Sequence, residues 1–306
     1  MKSIIVFGSI NMDLVTKTPR LPVAGETIKG HEFFTAGGGK GANQAVAAAK
    51  LGIPTQLVGR LGNDDFGRQL LRHLPAAGVQ TDGVLVDEAT SSGVAVITVD
   101  DAGENNIIII AGANGRLNET DVERLRSRLP GAAALLMQLE IPMATVQLAA
   151  QAAHSAGVPV ILDPAPAQDM PAELYPLIDI ITPNELEASQ LVGFPVDGQE
   201  AARQASAELQ HRGVDTVIVK LGDRGVFCAT AEETFFVPAF RVQAVDTVAA
   251  GDAFNGALAV ALAQGRLLRE AVVWGAAAGA LSATKAGAQP SLPDRKTFEA
   301  FLKQRS

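Results

Sequence analysis

Short β-branched runs recur at 3–7, 55–59, 133–139, 159–162, 178–182 and 216–221, and Ala- and Leu-rich stretches of helical period separate them, as at 42–51, 66–74, 143–156 and 198–212. The strand runs are apolar almost throughout rather than alternating, which is the mark of strands buried on both faces. Parallel strands need a crossover of a dozen or more residues, and the helical stretches have that length. This order predicts an α/β fold: a three-layer α/β/α sandwich on a mostly parallel central sheet.

Two segments depart from the alternation. Residues 13–34 and 93–110 read as extended structure, the second as GVAVITVDDAGENNIIII, two β-rich runs about a DDAGEN turn. Neither has room for a crossover helix. They predict a small β-sheet lid, discontinuous in the chain and spanning about 13–36 and 93–111, free to close over the sheet edge. The alternative is an antiparallel extension of the main sheet. No repeat and no Pro/Gly/Ser linker divides the chain, so residues 1–306 are expected to form a single catalytic domain.

Charge and composition narrow the partners. Asp and Glu outnumber Lys and Arg by 33 to 25, and aromatics are 5% of the chain, which argues against phosphate tracking and base stacking on nucleic acid. The single cysteine, Cys228, has no partner for a disulfide, and no Cys/His cluster has zinc spacing. The N-terminal apolar run meets Asn11 and Asp13 too soon for a signal peptide, and the longest uncharged stretch, 141–162, is broken by Pro142, Gln147, Gln151, His154 and Pro159. The expectation is a cytoplasmic protein with no membrane span.

In open parallel sheets, ligands bind beyond the carboxyl ends of the strands. The residues there are Asn11 and Asp13, on one face of an extended segment, then Glu140, Asp163, Asn184 and Gly222. Each alone is more readily just a solvated strand end; together they outline a crevice. The string GGGKGANQA at 37–45 runs into a helix and has neither P-loop nor dinucleotide spacing. Its glycines allow close backbone approach, while Lys40 and Asn43 offer donors to hydroxyl oxygens; the plain alternative is a turn that caps the helix. In VDTVAAGDAFNGALAVAL the apolar positions Phe254, Ala257, Leu258, Ala261 and Leu262 have helical spacing. Ala249, Ala250 and Gly251 therefore precede a helix N-terminus whose free N–H groups suit a phosphoryl group, with Asp252 in the first turn as a proton acceptor or simply an N-cap.

The strings GSINMD (8–13), AGGGKGANQAVAAAKLG (36–52), LLMQLEIP (135–142), DPAPA (163–167), IITPNELEA (180–188), KLGDRG (220–225), VQAVDTVAAGDAFNGAL (242–258) and KAGAQPSLP (285–293) stand in this order. Together they resemble the ribokinase family, the phosphofructokinase-B group of carbohydrate kinases, over nearly the whole chain. The resemblance implies a ribokinase-like fold and ATP-dependent phosphorylation of D-ribose at its 5-hydroxyl, with fructose, deoxyribose or adenosine as alternative acceptors. It implies Asp252 as general base with Ala249, Ala250 and Gly251 as the anion hole. It assigns Asn11, Met12, Asp13, Gly39, Lys40, Gly41, Ala42, Asn43 and Glu140 to the sugar. Asn184 and Glu187 are implied to organise Mg²⁺ and phosphates; Lys220, Leu221, Gly222, Asp223, Arg224 and Gly225 form the nucleotide turn, and Ala276 lies near the adenine. A potassium site is implied at Asp246, Val248, Ser282, Lys285, Gly287 and Ser291, although Lys285 also reads as a solvent-facing charge in the last turn of a helix. A homodimer through the lid is likewise implied.

Overall fold

The computed structural model describes residues 2–304. The strands are β1 Ile4–Phe7, β2 Asn11–Thr18, β3 Glu32–Gly38, β4 Thr55–Gly62, β5 Val79–Asp87, β6 Gly93–Asp100, β7 Asn105–Ile110, β8 Ala134–Met137, β9 Val160–Leu162, β10 Ile180–Ile181, β11 Thr216–Lys220, β12 Gly225–Ala229 and β13 Thr234–Pro238. The helices are α1 Lys40–Lys50, α2 Asp65–Ala76, α3 Glu119–Arg126, α4 Met143–Ser155, α5 Glu185–Val192, α6 Gln199–His211, α7 Ala250–Ala263, α8 Leu268–Ser282, α9 Ala288–Ser291 and α10 Arg295–Lys303.

Nine strands form the central sheet in the order β13-β12-β11-β10-β9-β8-β1-β4-β5. It is parallel from β11 to β5, and only the β12 and β13 pairings are antiparallel. Strand β1 shows why its sequence is apolar throughout. Ile4 and Val6 pack into the core shared with α1, α7 and α8, whereas Ile5 and Phe7 enter the opposite core with α3, α4 and α6. The period of two thus divides one apolar run between two helical layers.

Three strands escaped the sequence reading. In β5 the buried residues are interrupted by polar, solvent-facing ones because it is the sheet's edge strand, and β12 and β13 form a hairpin with no crossover helix to announce it. Strands β3-β2-β6-β7 make a second sheet of their own rather than extending the first, and residues 19–31 between β2 and β3 carry no regular structure.

The close contact that matters most for the site is between α1 and α7. A Cβ at Gly256 would stand 2.5 Å from the Cβ of Ala47, so the two helices meet where α7 has no side chain. Asp252 lies one turn before Gly256, and Asn43 one turn before Ala47, which brings the two polar residues together at the same end of the crossing.

Candidate active site

Helix α7 starts at Ala250, with Ala249 as an N-cap that makes no side-chain cap bond. Asp252 is therefore not the cap. Its Oδ2 accepts from Asn43 Nδ2 at 2.9 Å and its Oδ1 from Gln44 Nε2 at 3.1 Å. Burial pushes its pKa up to about 6; the Lys40 ammonium opposes the rise, the Asp163 carboxylate adds to it, and the two amide donors pull it down. A carboxylate with that pKa is ionised at neutral pH and basic enough to take a hydroxyl proton.

The first turn of α7 offers backbone donors without intrahelical acceptors. Of the three residues that the resemblance implies as an anion hole, Ala250 has its N–H engaged, donating to the Thr247 carbonyl at 3.1 Å. Lys220 supplies a cation instead: its Nζ lies 3.4 Å from where a Cβ on Gly251 would stand, and it donates to Asp163 Oδ1 at 2.8 Å.

The glycine string is not merely a capping turn. Gly39 is the N-cap of α1 with φ of 84°, and a Cβ there would lie 2.7 Å from the Asn11 amide nitrogen. Only glycine has both the left-handed backbone and the missing side chain that let α1 start against β2. The Lys40 N–H donates to Glu140 Oε2 at 3.1 Å, and the Ser9 hydroxyl donates to the same oxygen. Burial lowers the pKa of the Lys40 ammonium, but the carboxylates of Asp252, Asp163, Glu140 and Glu187 together outweigh that and hold it above the usual lysine value. It is a firm cation at the centre of four acids.

Asn11 and Asp13 are buried on β2. Asn11 Oδ1 accepts from Asn114 Nδ2 at 2.7 Å, and Asn114 also exchanges bonds with the Ile10 backbone. Asp13 is pushed up to about 7, first by burial, then by the charges of Glu140 and Asp252. Met12, between them, points to the other face of the strand and packs into the core with α1, so only its backbone shares their side. The side chain of Ala42 is likewise core, whereas the backbone at Gly41 and Ala42 meets Ser9: the Gly41 N–H donates to its hydroxyl and the Ala42 N–H to its carbonyl.

Asn184 and Glu187 first serve α5. Asn184 Oδ1 accepts from the Glu187 N–H at 2.9 Å, and Glu187 Oε2 accepts from the Asn184 N–H at 2.7 Å, a capping box. Glu187 also lies in the field of Lys220 and Lys40, so it faces the same crevice. In the 220–225 turn, the Leu221 N–H donates to the Gly225 carbonyl at 2.8 Å, while Arg224 binds the Glu185 carboxylate and the Asp197 carbonyl. Gly222 and Asp223 complete the turn, and Ala276 is half-buried on α8.

Asp246 joins two segments: its carboxylate accepts from the Val248 N–H at 3.0 Å and the Gly287 N–H at 2.8 Å. The Ser282 and Ser291 hydroxyls bond each other at 2.7 Å. Helix α8 ends at Ser282, so Lys285 lies beyond it, exposed, and is not a last-turn charge.

Four residues bonded to these side chains or to one another escaped the assignments made from sequence: Ser9, Gln44, Asn114 and Gln138. Ser9, Gln44 and Gln138 fall inside the matched strings and were legible as their polar members; Asn114 has no such signal, being a polar residue of the short 3-10 helix Gly112–Arg116 outside those strings.

The family profile described as pfkB family carbohydrate kinase matches residues 1–295. The chain is 42% identical over 301 residues to the ribokinase of Haemophilus influenzae, covering 98% of each protein. It is 38% identical over 300 residues to the deoxyribokinase of Salmonella typhimurium, again covering 98% of each. The solved structure of Arabidopsis thaliana ribokinase complexed with ribose and ATP superposes with a TM-score of 0.90 at 39% identity, covering 99% of both chains.

Proposed function

The chain belongs to the pfkB family of carbohydrate kinases, and from that premise we propose that it transfers the γ-phosphoryl group of ATP to the 5-hydroxyl of D-ribose, giving D-ribose 5-phosphate and ADP. The observation that carries the reading is the bond from Asn43 to Asp252, which joins the glycine string on the sugar side to the helix N-terminus on the phosphate side. The ribokinases at about 40% identity over the full chain support ribose as the acceptor; the deoxyribokinase makes a 2-deoxy sugar the competitor to test.

Asn11, Asp13, Gly39, Lys40, Asn43 and Glu140 hold the sugar, whose vicinal hydroxyls need the mixed donors and acceptors of two carboxylates and two amides. Asp252 takes the proton as the hydroxyl attacks. The Gly251 N–H, Lys40 and Lys220 face the charge that spreads over the transferring group, so most of the catalysis is positioning and local electrostatics. A net charge of −8 is no obstacle, since Lys40 and Lys220 stand among the buried acids of the site itself. The second sheet closes as a lid to exclude water, which would otherwise accept the phosphoryl group.

The buried Glu187 carboxylate and the Asn184 amide supply the hard oxygens and hydrogen-bonding partners that suit hydrated Mg²⁺ with few protein ligands. When bound, that ion shields the phosphate charges. The Asp246 carboxylate, the carbonyls of Val248, Ser282, Lys285 and Gly287, and the Ser291 region would make an all-oxygen set of the kind potassium takes, which would brace the loop before α7; the Asp246 bonds to the Val248 and Gly287 N–H groups support the reading by joining the two segments. A homodimer is supported by the face of the second sheet that carries Phe33, Val96, Ile108 and Ile110, all exposed. Among the described residues no helix is long and apolar enough to cross a membrane, and we place the protein in the cytoplasm.

Release of ADP with ribose, deoxyribose, fructose and adenosine, at equal ATP, tests the assignment. The highest kcat/KM belongs to ribose; a higher value for any other acceptor overturns it.

A further inference from the structure

Gln44 occupies the centre of a buried polar chain. Its Nε2 donates to Asp252 Oδ1 at 3.1 Å and to Asp163 Oδ2 at 3.0 Å, while its Oε1 accepts from Gln138 Nε2 at 2.6 Å. Gln44 is 1% exposed, Gln138 0%, Asp163 2% and Asp252 3%, so water does not substitute for any of these bonds without rearrangement. The carboxamide has one workable orientation. Both of its protons face carboxylates, and the flipped amide would set its carbonyl oxygen against two anions. The other oxygen of Asp163 is held by Lys220, the cation beside Gly251.

We infer that Gln44 is a positioning residue for phosphoryl transfer: it fixes Asp252 Oδ1 and holds the two neighbouring carboxylates apart, so that the base meets the sugar hydroxyl in one orientation. This rests on Asp252 being the base. Gln44 touches neither sugar nor nucleotide in this assignment and acts through Asp252 alone. The two oxygens of Asp252 are then held by different residues of α1, Asn43 on one and Gln44 on the other. Asn43 reaches the base beside the sugar, whereas Gln44 reaches it from the sheet side, braced by Gln138 after β8. Rotation of the carboxylate would break both bonds at once.

Removing a donor from an ionised carboxylate raises its pKa, and removing the spacer between two carboxylates raises it again. The charged groups that face Asp252 are Lys40 on α1, Asp13 on β2 and Asp163 after β9, with Lys220 behind Asp163. A neutral replacement at position 44 leaves all of them in place, so any shift in the acid limb of kcat reports the lost bond.

The test compares Gln44→Met with the parent enzyme at saturating ribose and ATP. The expected result is a kcat lower by roughly tenfold to a hundredfold, as for a base displaced by a fraction of an ångström, an acid limb moved to higher pH, and little change in either KM. Gln138→Leu, which removes only the brace, moves the limb the same way by less. In an Asp252→Asn background Gln44→Met produces no further loss, because the group it acts through is gone. An acid limb that coincides with the parent's overturns the inference even where kcat falls, since a merely structural defect lowers turnover at every pH. If Gln44→Met does not fold, Gln138→Leu is judged by the same criterion. Retained turnover in Asp252→Asn is a different outcome: it overturns the identity of the base, and with it the premise on which the role of Gln44 rests.

Discussion

Asn43 Nδ2 donates to Asp252 Oδ2 across 2.9 Å, between residues 209 positions apart in the chain. The bond exists because α1 and α7 cross at Ala47 and Gly256 and each helix carries its polar residue one turn away, at the same end. In the assignment proposed above, this holds Asp252, in the first turn of α7, against the sugar side while the helix N-terminus faces the phosphate side. From this one contact follow expectations for the base, for the crossing and for pH.

Asp252→Asn keeps the shape but only one of the two amide contacts, because its NH2 replaces one carboxylate oxygen and meets a donor, and it cannot accept a proton. Turnover is expected to fall by about 10²- to 10⁴-fold, the usual contribution of a general base, while ribose still binds. Calorimetric titration with ribose beside a coupled ADP assay checks this, and near-normal turnover would remove Asp252 from its role.

Gly256→Ala tests the crossing. The added methyl would meet Ala47 at 2.5 Å, well inside contact distance, and overpacking of this kind costs about 1–3 kcal/mol. Thermal unfolding is expected to shift down, and kcat with it, because α1 and α7 must separate and the Asn43 contact lengthens. Substrate KM values that rise while kcat holds would show that the crossing does not position the base.

Activity and stability respond to pH in opposite senses. Asp13 and Asp252, at about 7 and about 6, lie above their ordinary value of 3.8, so folding favours their protonated forms. Their contribution to stability is complete below the unfolded value and is lost as pH rises through the folded ones. The base must be ionised, so turnover declines as pH falls below about 6. Asp13→Asn removes one of the two groups: its gain in melting temperature over the ligand-free parent should grow from about pH 4 to about pH 7 and then level off. A gain independent of pH over that range contradicts the assignment.

Ile108→Lys tests the outer face of the second sheet. Strand pairing sets Ile108 beside Val96 on the face opposite Asn11 and Asp13, and Ile108 is 65% exposed. A charge there should convert a homodimer to a monomer in light scattering, with the melting temperature of the catalytic sheet little altered. A parent protein of monomeric mass disposes of the idea.

Potassium in place of sodium is expected to raise kcat several-fold, because the Asp246 loop leads directly into the first turn of α7. Asp246→Ala should lose that activation and also loosen the loop, since the carboxylate bridges Val248 and Gly287. Equal rates in sodium-only and potassium buffers count against a site there.

What the sequence determined by itself was whatever depends on local periodicity and on strings of adjacent residues. The apolar runs and the helical periods between them are local, so the layered α/β architecture was legible, as were the glycine string before α1 and the start of α7 to within two residues, at Ala250 rather than after it near Gly251 or Asp252. Edge elements were not, because β5 is half polar and the β12–β13 hairpin carries no crossover. The strings also carried the family, and with it most of the polar residues at the crevice. Only tertiary structure decided how those residues are used. Asp252 is a carboxylate held by two amides rather than a cap because α1 passes α7 at a glycine, and no spacing in the sequence records that approach. Met12 lies between two buried polar neighbours yet faces the other side of its strand. Gln44 became visible only when Asp163, 119 residues away, was brought to its amide. Burial and charge at the base are sums over residues from distant parts of the chain, and those sums exist only in the folded protein.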